Sequence, residues 1–341
     1  MSHTAEVLDR LRGKIAPPAT TLEEVRERRK TTLDAARAFK GVVRVYNAGS
    51  IAHGTANADT DADCGIVLDR RVWKELGPDG ENAGPAGVVE DVRKLVRETV
   101  KSDHPDLKTW LSKRAIVLRF RAELGNGSDP SVDLIVALQR TSGGLWIPNL
   151  HGSGSWDAAH PVRHTELLTA DPKSLRVTRA RIIRLAKCWN VQYSEPGMCS
   201  FNIEALALAC ITEGMGLATG LAEFFAFASK DVAKHNTPDP ADVSKPIKLK
   251  VERQVIVARL EKAADLLLTA LDNDDDEVAV ETALADLFWK HLKPPAGAAS
   301  KAAMARSLRT GNSGVRMGAG LTLGGAGAEV KTTRAFGGAE R

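Results

Sequence analysis

The chain of 341 residues has no apolar run that approaches the roughly 20 residues needed to cross a bilayer. Its N-terminal segment, MSHTAEVLDRLRGK, is charged and amphipathic and lacks the apolar centre of a signal peptide. These absences argue against a membrane partner and against export. With 43% hydrophobic residues, the sequence is typical of a globular protein, and we expect it in the cytoplasm.

Close cysteine pairs, which a structural zinc site usually needs, are also missing. The four cysteines lie far apart, at Cys64, Cys188, Cys199 and Cys210, and are expected to be reduced core thiols. His160 and His164 have the spacing of two ligands on one helical face, but Pro161 between them argues against a regular helix. The sequence therefore predicts no structural metal.

The part of the chain before the tail has no basic surplus. The formal net charge is +4, yet residues 301–341 hold seven Lys/Arg and two Glu, which leaves −1 for the remainder. A dedicated nucleic-acid binder usually carries its basic excess on the folded domain. Bulk charge therefore does not indicate a nucleic-acid partner, although a local basic groove stays open.

Hydrophobic periodicity predicts helices, then a small sheet, then more helices. Two helices are expected before residue 40, the second beginning with a capping box of Thr21 and Glu24. Strands are predicted at 42–50, 64–69, 114–124 (half-exposed) and 131–138, with a helix at 87–100. After about residue 145 the strand signals fade, and helices are predicted at 174–193, 200–215, 221–233, 251–271 and 278–292. This order indicates an α+β enzyme of two lobes.

The segment 47–69 carries the first chemical signal. A predicted strand ends at Gly49-Ser50, where glycine would let backbone N–H groups approach a phosphate. Asp61 and Asp63 follow, two residues apart at the mouth of the next strand, so that their side chains are expected to point the same way. Paired carboxylates repel each other unless a cation or a donor lies between them. A solvated loop is the alternative interpretation.

Asp133 supplies a third carboxylate at the start of the strand 131–138. If that strand neighbours 64–69, the three acids converge on one place suited to two Mg²⁺ ions about 3.5–4 Å apart. Asp59 offers an alternative pair with Asp61, but Asp63 directly abuts the apolar strand that would hold it rigid. Asp69 lies at the far end of that strand, roughly 20 Å away, and is excluded.

Together, Gly49-Ser50, Gly54-Thr55 and Asp61-Ala62-Asp63 resemble the GS…DxD signature of the polymerase-β-like nucleotidyltransferases, with Asp133 in place of the third carboxylate. Downstream, RLAKCWN (184–190) and SFNIEALAL (200–208) resemble the helical lobe of the oligoadenylate synthetase branch. The sequence is most similar to the bacterial cGAS/DncV-like nucleotidyltransferases, the CD-NTases of anti-phage signalling. It lacks the cysteine/histidine zinc insertion of the animal DNA sensor, so activation by long duplex DNA through that element is not expected.

The resemblance implies a two-lobed fold with a small mixed sheet and a role for each site residue. Asp61, Asp63 and Asp133 would be catalytic and hold two Mg²⁺ ions, with Mn²⁺ as an alternative. Gly49, Ser50, Lys187 and Ser200 would bind the nucleotide, unless Lys187 is a solvated residue and Ser200 only a helix cap. The implied domains are N-terminal helices bridging the lobes (1–40), a catalytic core (41–145), a helical domain (146–310) and a flexible glycine-rich tail (311–341).

The implied activity joins nucleoside triphosphates into a cyclic di- or trinucleotide for CBASS signalling and releases pyrophosphate. The substrates would be ATP, GTP or both, and pyrimidine nucleotides are an alternative. Two alternatives stay open: a nucleotidyltransferase that modifies a tRNA, an antitoxin or an aminoglycoside, and a nucleotide or RNA sensor without chemistry. Some enzymes of this kind are joined through their C-terminus to other molecules by a conjugation machinery. Here the chain ends in FGGAER, so a terminal glycine would require trimming.

Overall fold

The computed structural model describes residues 2–58, 61–152 and 154–296, so the predicted tail at 311–341 and Asp59 lie outside the described residues. Two main buried cores organise the chain. One lies against a mixed sheet, which we call the sheet region, and the other lies among helices, which we call the helical region. Within the described residues, no helix combines the length and apolar character needed to span a membrane.

The two N-terminal helices, α1 (His3–Ile15) and α2 (Ala19–Arg37), contribute to different cores. The apolar side chains of α1 pack in the helical region, whereas those of α2 pack in the sheet region. The first 37 residues therefore contact both regions.

The predicted capping box at the start of α2 is wrong. The helix begins earlier, at Ala19, directly after Pro18, whose φ of −55° already suits a helix. Thr21 consequently lies inside the first turn, where it is buried and its hydroxyl accepts a hydrogen bond from Asn126 Nδ2 at 3.0 Å. Thr21 therefore makes a tertiary contact with Asn126 instead of capping the helix.

The sheet has seven strands and is built around one parallel pair, β2 and β5. Its main order is β1-β2-β5-β4-β3, while β6 pairs with β5 and β7 pairs with β6; every pairing except β2 with β5 is antiparallel. The strands are β1 (Val42–Ala48), β2 (Ala62–Leu68), β3 (Lys108–Leu111), β4 (Ile116–Arg119), β5 (Val132–Gln139), β6 (Leu145–Asn149) and β7 (Ser155–Ala159). This mixed sheet with surrounding helices confirms the predicted α+β class.

The predicted half-exposed strand at 114–124 is shorter than expected and more buried. It forms only β4, between β3 and β5, and Ile116, Val117 and Leu118 are all buried. Arg121 adopts a φ of +56°, which is incompatible with an extended strand and turns the chain away.

The expectation that strands end near residue 145 is wrong, because β6 and β7 extend the sheet to residue 159. Gly143 and Gly144 both have positive φ and make the turn between β5 and β6. The two later strands are short and poor in β-branched residues, so their local signal is weak. Pairing with β5 stabilises them.

Helices form most of the remaining described chain, and the five predicted after residue 170 are present. They are α3 (Gly49–His53), α4 (Ala86–Lys101), α5 (Pro161–Thr169), α6 (Lys173–Val191), α7 (Ser200–Cys210), α8 (Leu217–Lys234), α9 (Arg253–Asp272) and α10 (Glu277–Leu287). The predicted helix 200–215 ends at Cys210. The inference against a helix around Pro161 is wrong: this proline is the first residue of α5, where its missing N–H costs nothing, and His160 caps the helix.

Candidate active site

Strand pairing places two of the predicted acidic residues side by side. In the parallel register of β2 and β5, Asp63 is opposite Asp133, and both are only partly exposed. Their chain neighbours Cys64 and Leu134 are buried in the core of the sheet region. Side chains alternate between the faces of a strand, so the apolar neighbours anchor both strands and hold the two carboxylates together on the other face.

Asp61 precedes β2 and is exposed. One of its carboxylate oxygens, Oδ1, accepts a hydrogen bond of 2.8 Å from the backbone N–H of Ser131, in the segment that leads into β5. The Ser131 carbonyl accepts a bond in return from the Ala62 N–H at 3.0 Å. These bonds tie the approaches to the two strands together, beside Asp63 and Asp133.

The pKa values show that the carboxylates interact. Burial, followed by the charge of Asp61, raises the pKa of Asp63 to about 6. Burial, followed by the charges of Asp63 and Asp61, raises the pKa of Asp133 to about 7. Both carboxyl groups therefore keep their protons to a higher pH than a free aspartic acid does, and a nearby cation would lower both pKa values.

Gly49 lies directly against the Asp63 carboxylate, at the junction of β1 and α3. It has a φ of +70°, and a Cβ atom at this position would lie 1.8 Å from Asp63 Oδ2 and 2.5 Å from its Cγ. Position 49 therefore needs glycine for two independent reasons, the positive φ and the space. The close approach places the start of α3, with Ser50, beside the carboxylates.

A cavity of about 270 Å³ opens at this junction, between the sheet region and the helical region. Five of the seven predicted site residues contribute to its wall: Gly49, Ser50, Asp63, Lys187 and Ser200. Asp61 and Asp133 do not line it, although the charge of Asp61 acts on Asp63 and the charges of both act on Asp133. The remaining lining includes four side chains to which the sequence analysis gave no role here, His53, His164, Phe201 and Glu204.

Lys187 is buried and is held by Glu204. Its Nζ donates to Glu204 Oε1 at 2.7 Å, to Thr55 Oγ1 at 3.0 Å and to the Thr55 carbonyl at 3.4 Å. The Thr55 hydroxyl donates to the same Glu204 oxygen at 2.7 Å, and His53 Nδ1 lies 3.2 Å from Oε2. We call His53, Thr55, Lys187 and Glu204 the Glu204 cluster.

The Glu204 cluster is electrostatically satisfied. Burial by itself would raise the pKa of Glu204, but the hydrogen bond with His53 and the charge of Lys187 hold it at about 2. The alternative that Lys187 is a solvated residue on a helix surface is therefore wrong. An acidic residue within the apolar run of SFNIEALAL was the available signal for Glu204, because Glu is rarely buried unless it is paired.

Ser200 is the first residue of α7 and is exposed at the cavity. The alternative that it caps the helix is wrong, since the cap is Cys199. The Asn202 side-chain oxygen accepts from the Cys199 N–H at 3.2 Å and lies 3.0 Å from its Sγ. The Ser200 hydroxyl is consequently not used for capping.

His160 and His164 have separate partners. His160 Nδ1 accepts from the Arg163 N–H at 3.1 Å, whereas His164 Nε2 lies 2.7 Å from Asp239 Oδ1. The His164 ring packs on Phe201, with 4.4 Å between centroids. His164 is therefore a wall residue of the cavity whose position is set by Asp239.

No protein-family model and no curated protein matches the sequence. Solved structures match over most of the chain. Escherichia coli MS115-1 CdnC with ATP gives a TM-score of 0.64 at 16% identity over 86% of this chain and 99% of that chain. The Bradyrhizobium diazoefficiens CD-NTase CdnG in complex with GTP gives 0.62 at 16% identity over 83% and 94%.

The Vibrio cholerae DncV cyclic AMP-GMP synthase, in complex with the linear intermediate 5′ pppA(3′,5′)pG, gives a TM-score of 0.56 at 13% identity over 85% of this chain and 87% of that chain. At such identities the likeness establishes the fold. The chain therefore has the CD-NTase fold that the GS…DxD resemblance predicted.

Proposed function

We propose that this protein is a Mg²⁺-dependent nucleotidyltransferase that joins nucleoside triphosphates into a cyclic di- or trinucleotide second messenger for bacterial anti-phage (CBASS) signalling. One observation carries the proposal: Asp63 stands in register with Asp133 and faces a cavity with Gly49 and Ser50. Lys187 and Ser200 complete that cavity from the helical region. Solved proteins of this fold include one with ATP, one with GTP and one with a linear dinucleotide intermediate.

Asp61, Asp63 and Asp133 would hold two Mg²⁺ ions, with Mn²⁺ as the alternative. The donor set fits, because carboxylate oxygens suit a hard cation, and a cation would offset the burial and mutual repulsion that raise the pKa values of Asp63 and Asp133. In the described part of the chain, no three acidic, histidine or cysteine side chains already converge as a complete metal site. Mg²⁺ commonly takes only one or two protein carboxylates and completes its shell with substrate phosphates and water.

In the proposed reaction, a ribose hydroxyl oxygen bonds to the α-phosphorus of a nucleoside triphosphate. The bond from that phosphorus to the bridging oxygen breaks, pyrophosphate leaves with the electron pair, and the hydroxyl proton passes to water. Bound metal would neutralise charge on the triphosphate and on the attacking oxygen. Asp133, on the central strand β5, would orient the hydroxyl, and a second transfer on the linear product would close the ring.

The walls of the cavity would hold the triphosphate. Ser50 lines the cavity from the sheet region and Ser200 lines it from the helical region, and their hydroxyl and backbone N–H groups would donate to phosphate oxygens. An ammonium group has three protons to donate, and Lys187 already makes three contacts. The longest of these, 3.4 Å to the Thr55 carbonyl, is the one that a phosphate oxygen would replace at the smallest cost.

In this proposal the two regions contribute different parts of the active site. The sheet region would supply the carboxylates and the glycine turn, and the helical region would supply the opposite wall of the nucleotide site. The N-terminal helices α1 and α2, which pack in different cores, would connect them. Conjugation through the C-terminus concerns residues outside the described ranges and stays a prediction.

The test is to incubate the purified protein with all four nucleoside triphosphates and Mg²⁺, and to identify phosphatase-resistant products by mass spectrometry. We expect a cyclic product without any added acceptor, and none from the double variant Asp61→Asn/Asp63→Asn. Transfer only to an added tRNA, protein or aminoglycoside would favour the macromolecule- or drug-modifying alternative. A double variant that retains its effect in phage-challenged cells would reject the catalytic interpretation.

A further inference from the structure

A second cavity, of about 490 Å³, lies within the helical region and is larger than the candidate active site. Apolar side chains make up most of its wall, with Leu175 from α6, Leu206 from α7 and Phe227 from α8 among them. Its volume falls within the range of about 300–1,000 Å³ that is usual for small-molecule sites. The nucleotidyl-transfer chemistry proposed above does not use this space.

Two charged side chains in the wall are incompletely bonded. Arg179 is 7% exposed, and among the described residues its guanidinium makes only two bonds of 3.4 Å, to the carbonyls of Leu167 and Ile211. Its Nε has no hydrogen-bond partner among the described residues. In the same part of the chain, the buried Oδ2 of Asp231 also lacks a partner, while its Oδ1 lies 3.5 Å from His235 Nε2.

Unsatisfied buried polar atoms are rare and costly in folded proteins. Here both line a cavity, so a molecule inside it can satisfy them. The Arg179 N–H requires an acceptor, and the Asp231 carboxylate requires a donor. Asp171, the third charged residue of the wall, is exposed, so water screens its charge. Because Arg179 and Asp231 carry opposite charges, a ligand with no net charge avoids repulsion from either.

We infer that this cavity is a binding site for a neutral, flat heteroaromatic molecule that carries an acceptor and an N–H donor, as in an aromatic carboxamide or a nucleobase-like ring. The apolar wall would cover the ring faces. Arg179 would donate to the carbonyl oxygen, and Asp231 would accept from the N–H.

Helix α7 separates this cavity from the candidate active site. Glu204 faces the candidate active site, whereas the next residue, Ala205, faces the second cavity, together with Leu206 and Ala209. The loop with Pro238 and Pro240 closes the second cavity, and Asp239 between these prolines holds His164 of the candidate active site at 2.7 Å. Occupancy would therefore stiffen α7 and this loop. A resulting change in nucleotide transfer rests on the proposed function, whereas binding itself does not.

The experiment uses quinoline-3-carboxamide and 3-acetylquinoline, which share a ring and a carbonyl but differ in the N–H donor. Affinities are measured by ligand-observed NMR with the full chain. We expect the carboxamide to bind at least ten times more tightly than the ketone, and to slow hydrogen–deuterium exchange in α7 and the 237–244 loop. Neither measurement depends on catalysis.

Three variants locate the site. Ala209→Trp places an indole at the exposed rim of the cavity and should weaken carboxamide binding at least tenfold. Leu268→Trp, at an exposed position on α9 that does not line the cavity, is the matched control and should bind like the wild type. Arg179→Met should also lose at least tenfold in affinity while unfolding at the same or a higher urea concentration.

Equal affinity for the two probes, no saturable binding of either, or unchanged binding by Ala209→Trp would each overturn the proposal. A large loss of stability in Arg179→Met would assign that arginine to the fold and would overturn its role as a ligand donor. The variant Asp231→Asn, which retains the shape of the side chain, tests the acceptor independently: weaker carboxamide binding than in the wild type supports the proposal, and unchanged binding overturns it.

Discussion

Two groups of buried or partly buried carboxylates lie on either side of the candidate active site, and their pKa values move in opposite directions. In the sheet region, burial and neighbouring negative charge raise the pKa of Asp63 to about 6 and that of Asp133 to about 7. In the helical region, Glu204 is also buried, yet the hydrogen bond with His53 and the charge of Lys187 hold its pKa at about 2. The difference is that Glu204 is hydrogen-bonded to a cation, whereas Lys187 and Arg29 lower the pKa of Asp63 by their charge alone.

This difference in pKa fits a different role for each group. Glu204 already has its positive partner, so it stabilises the junction of α3, α6 and α7. The aspartates face one another, and the charges of Lys187 and Arg29 offset only part of the rise in the pKa of Asp63, which fits the proposed role of receiving a cation with the substrate. Burial of a carboxylate by itself indicates neither role, because its hydrogen-bond and charge partners determine whether it is already neutralised.

The largest expected effect comes from the aspartates. Asp133→Asn should lower the rate of product formation by about 10³-fold or more, equivalent to roughly 4 kcal/mol of transition-state stabilisation. Asp69→Asn is the matched control, since Asp69 follows the other end of β2 and pairs with Arg71. Initial rates with saturating Mg²⁺ and nucleotide measure both. Equal losses in the two variants would show that Asp133 has no special role.

Removing the charge of the satisfied carboxylate should affect stability. Glu204→Gln leaves Lys187 buried without its anion, and we expect a loss of about 3 kcal/mol in the free energy of unfolding by urea. The exposed Glu223→Gln on α8 should change it by less than about 0.5 kcal/mol. The double variant Glu204→Gln/Lys187→Met should recover most of the loss. A double variant that loses as much as the two single changes combined would contradict the pairing.

Substitution of two glycines that both have positive φ separates the cost of backbone strain from the cost of a steric overlap. Gly54→Ala should cost about 1 kcal/mol of stability, because a Cβ there meets nothing within 4 Å and only the φ of +73° is unfavourable. Gly49→Ala should cost about 2 kcal/mol more, since its Cβ overlaps the Asp63 carboxylate. The Gly49 variant should also lose product formation. Similar stability and activity in the two variants would mean that the carboxylate moves aside freely.

An effect comparable to that of the glycine changes is expected from pH, on the stability of the metal-free protein. Because the pKa values of Asp63 and Asp133 are raised in the folded protein, protonation of these groups stabilises the fold. This contribution is complete when the pH is below the pKa of the unfolded chain, near 4, and it is lost as pH rises through about 6 to 7. Wild-type protein in EDTA should therefore lose on the order of 2 kcal/mol between pH 5 and pH 8. Asp133→Asn should lose less, as followed by urea unfolding. An equal loss in both proteins would place the titration elsewhere.

The same measurement at low pH tests the other group. Because the pKa of Glu204 is lowered to about 2, its contribution is present above the unfolded value near 4.5 and is lost as pH falls towards 2. Wild-type protein should therefore lose stability below about pH 4, and Glu204→Gln should lose less over that interval. The aspartates thus destabilise the protein as pH rises through neutrality, and Glu204 does so as pH falls into the acid range.

Several features could be predicted from the sequence because their signals are local. Apolar strands end beside acidic residues at Asp63 and Asp133, and a glycine stands where the chain leaves β1. The long helices after residue 170 have strong periodicity and were predicted closely. The short strands β6 and β7 were missed, because pairing with β5 stabilises them more than the propensity of their own residues does.

The sequence by itself determined which residue types are available for chemistry: three aspartates near strand ends, a Gly-Ser turn, a lysine on a helix and a serine at a helix start. Only the tertiary structure decided which of them meet. The register of β2 and β5 brings Asp63 beside Asp133, and the approach of α3 to α6 and α7 joins Lys187 to Glu204 across 17 residues of chain and to Thr55 across 132. Such contacts depend on elements distant in the chain, and periodicity within one segment carries no information about its neighbours.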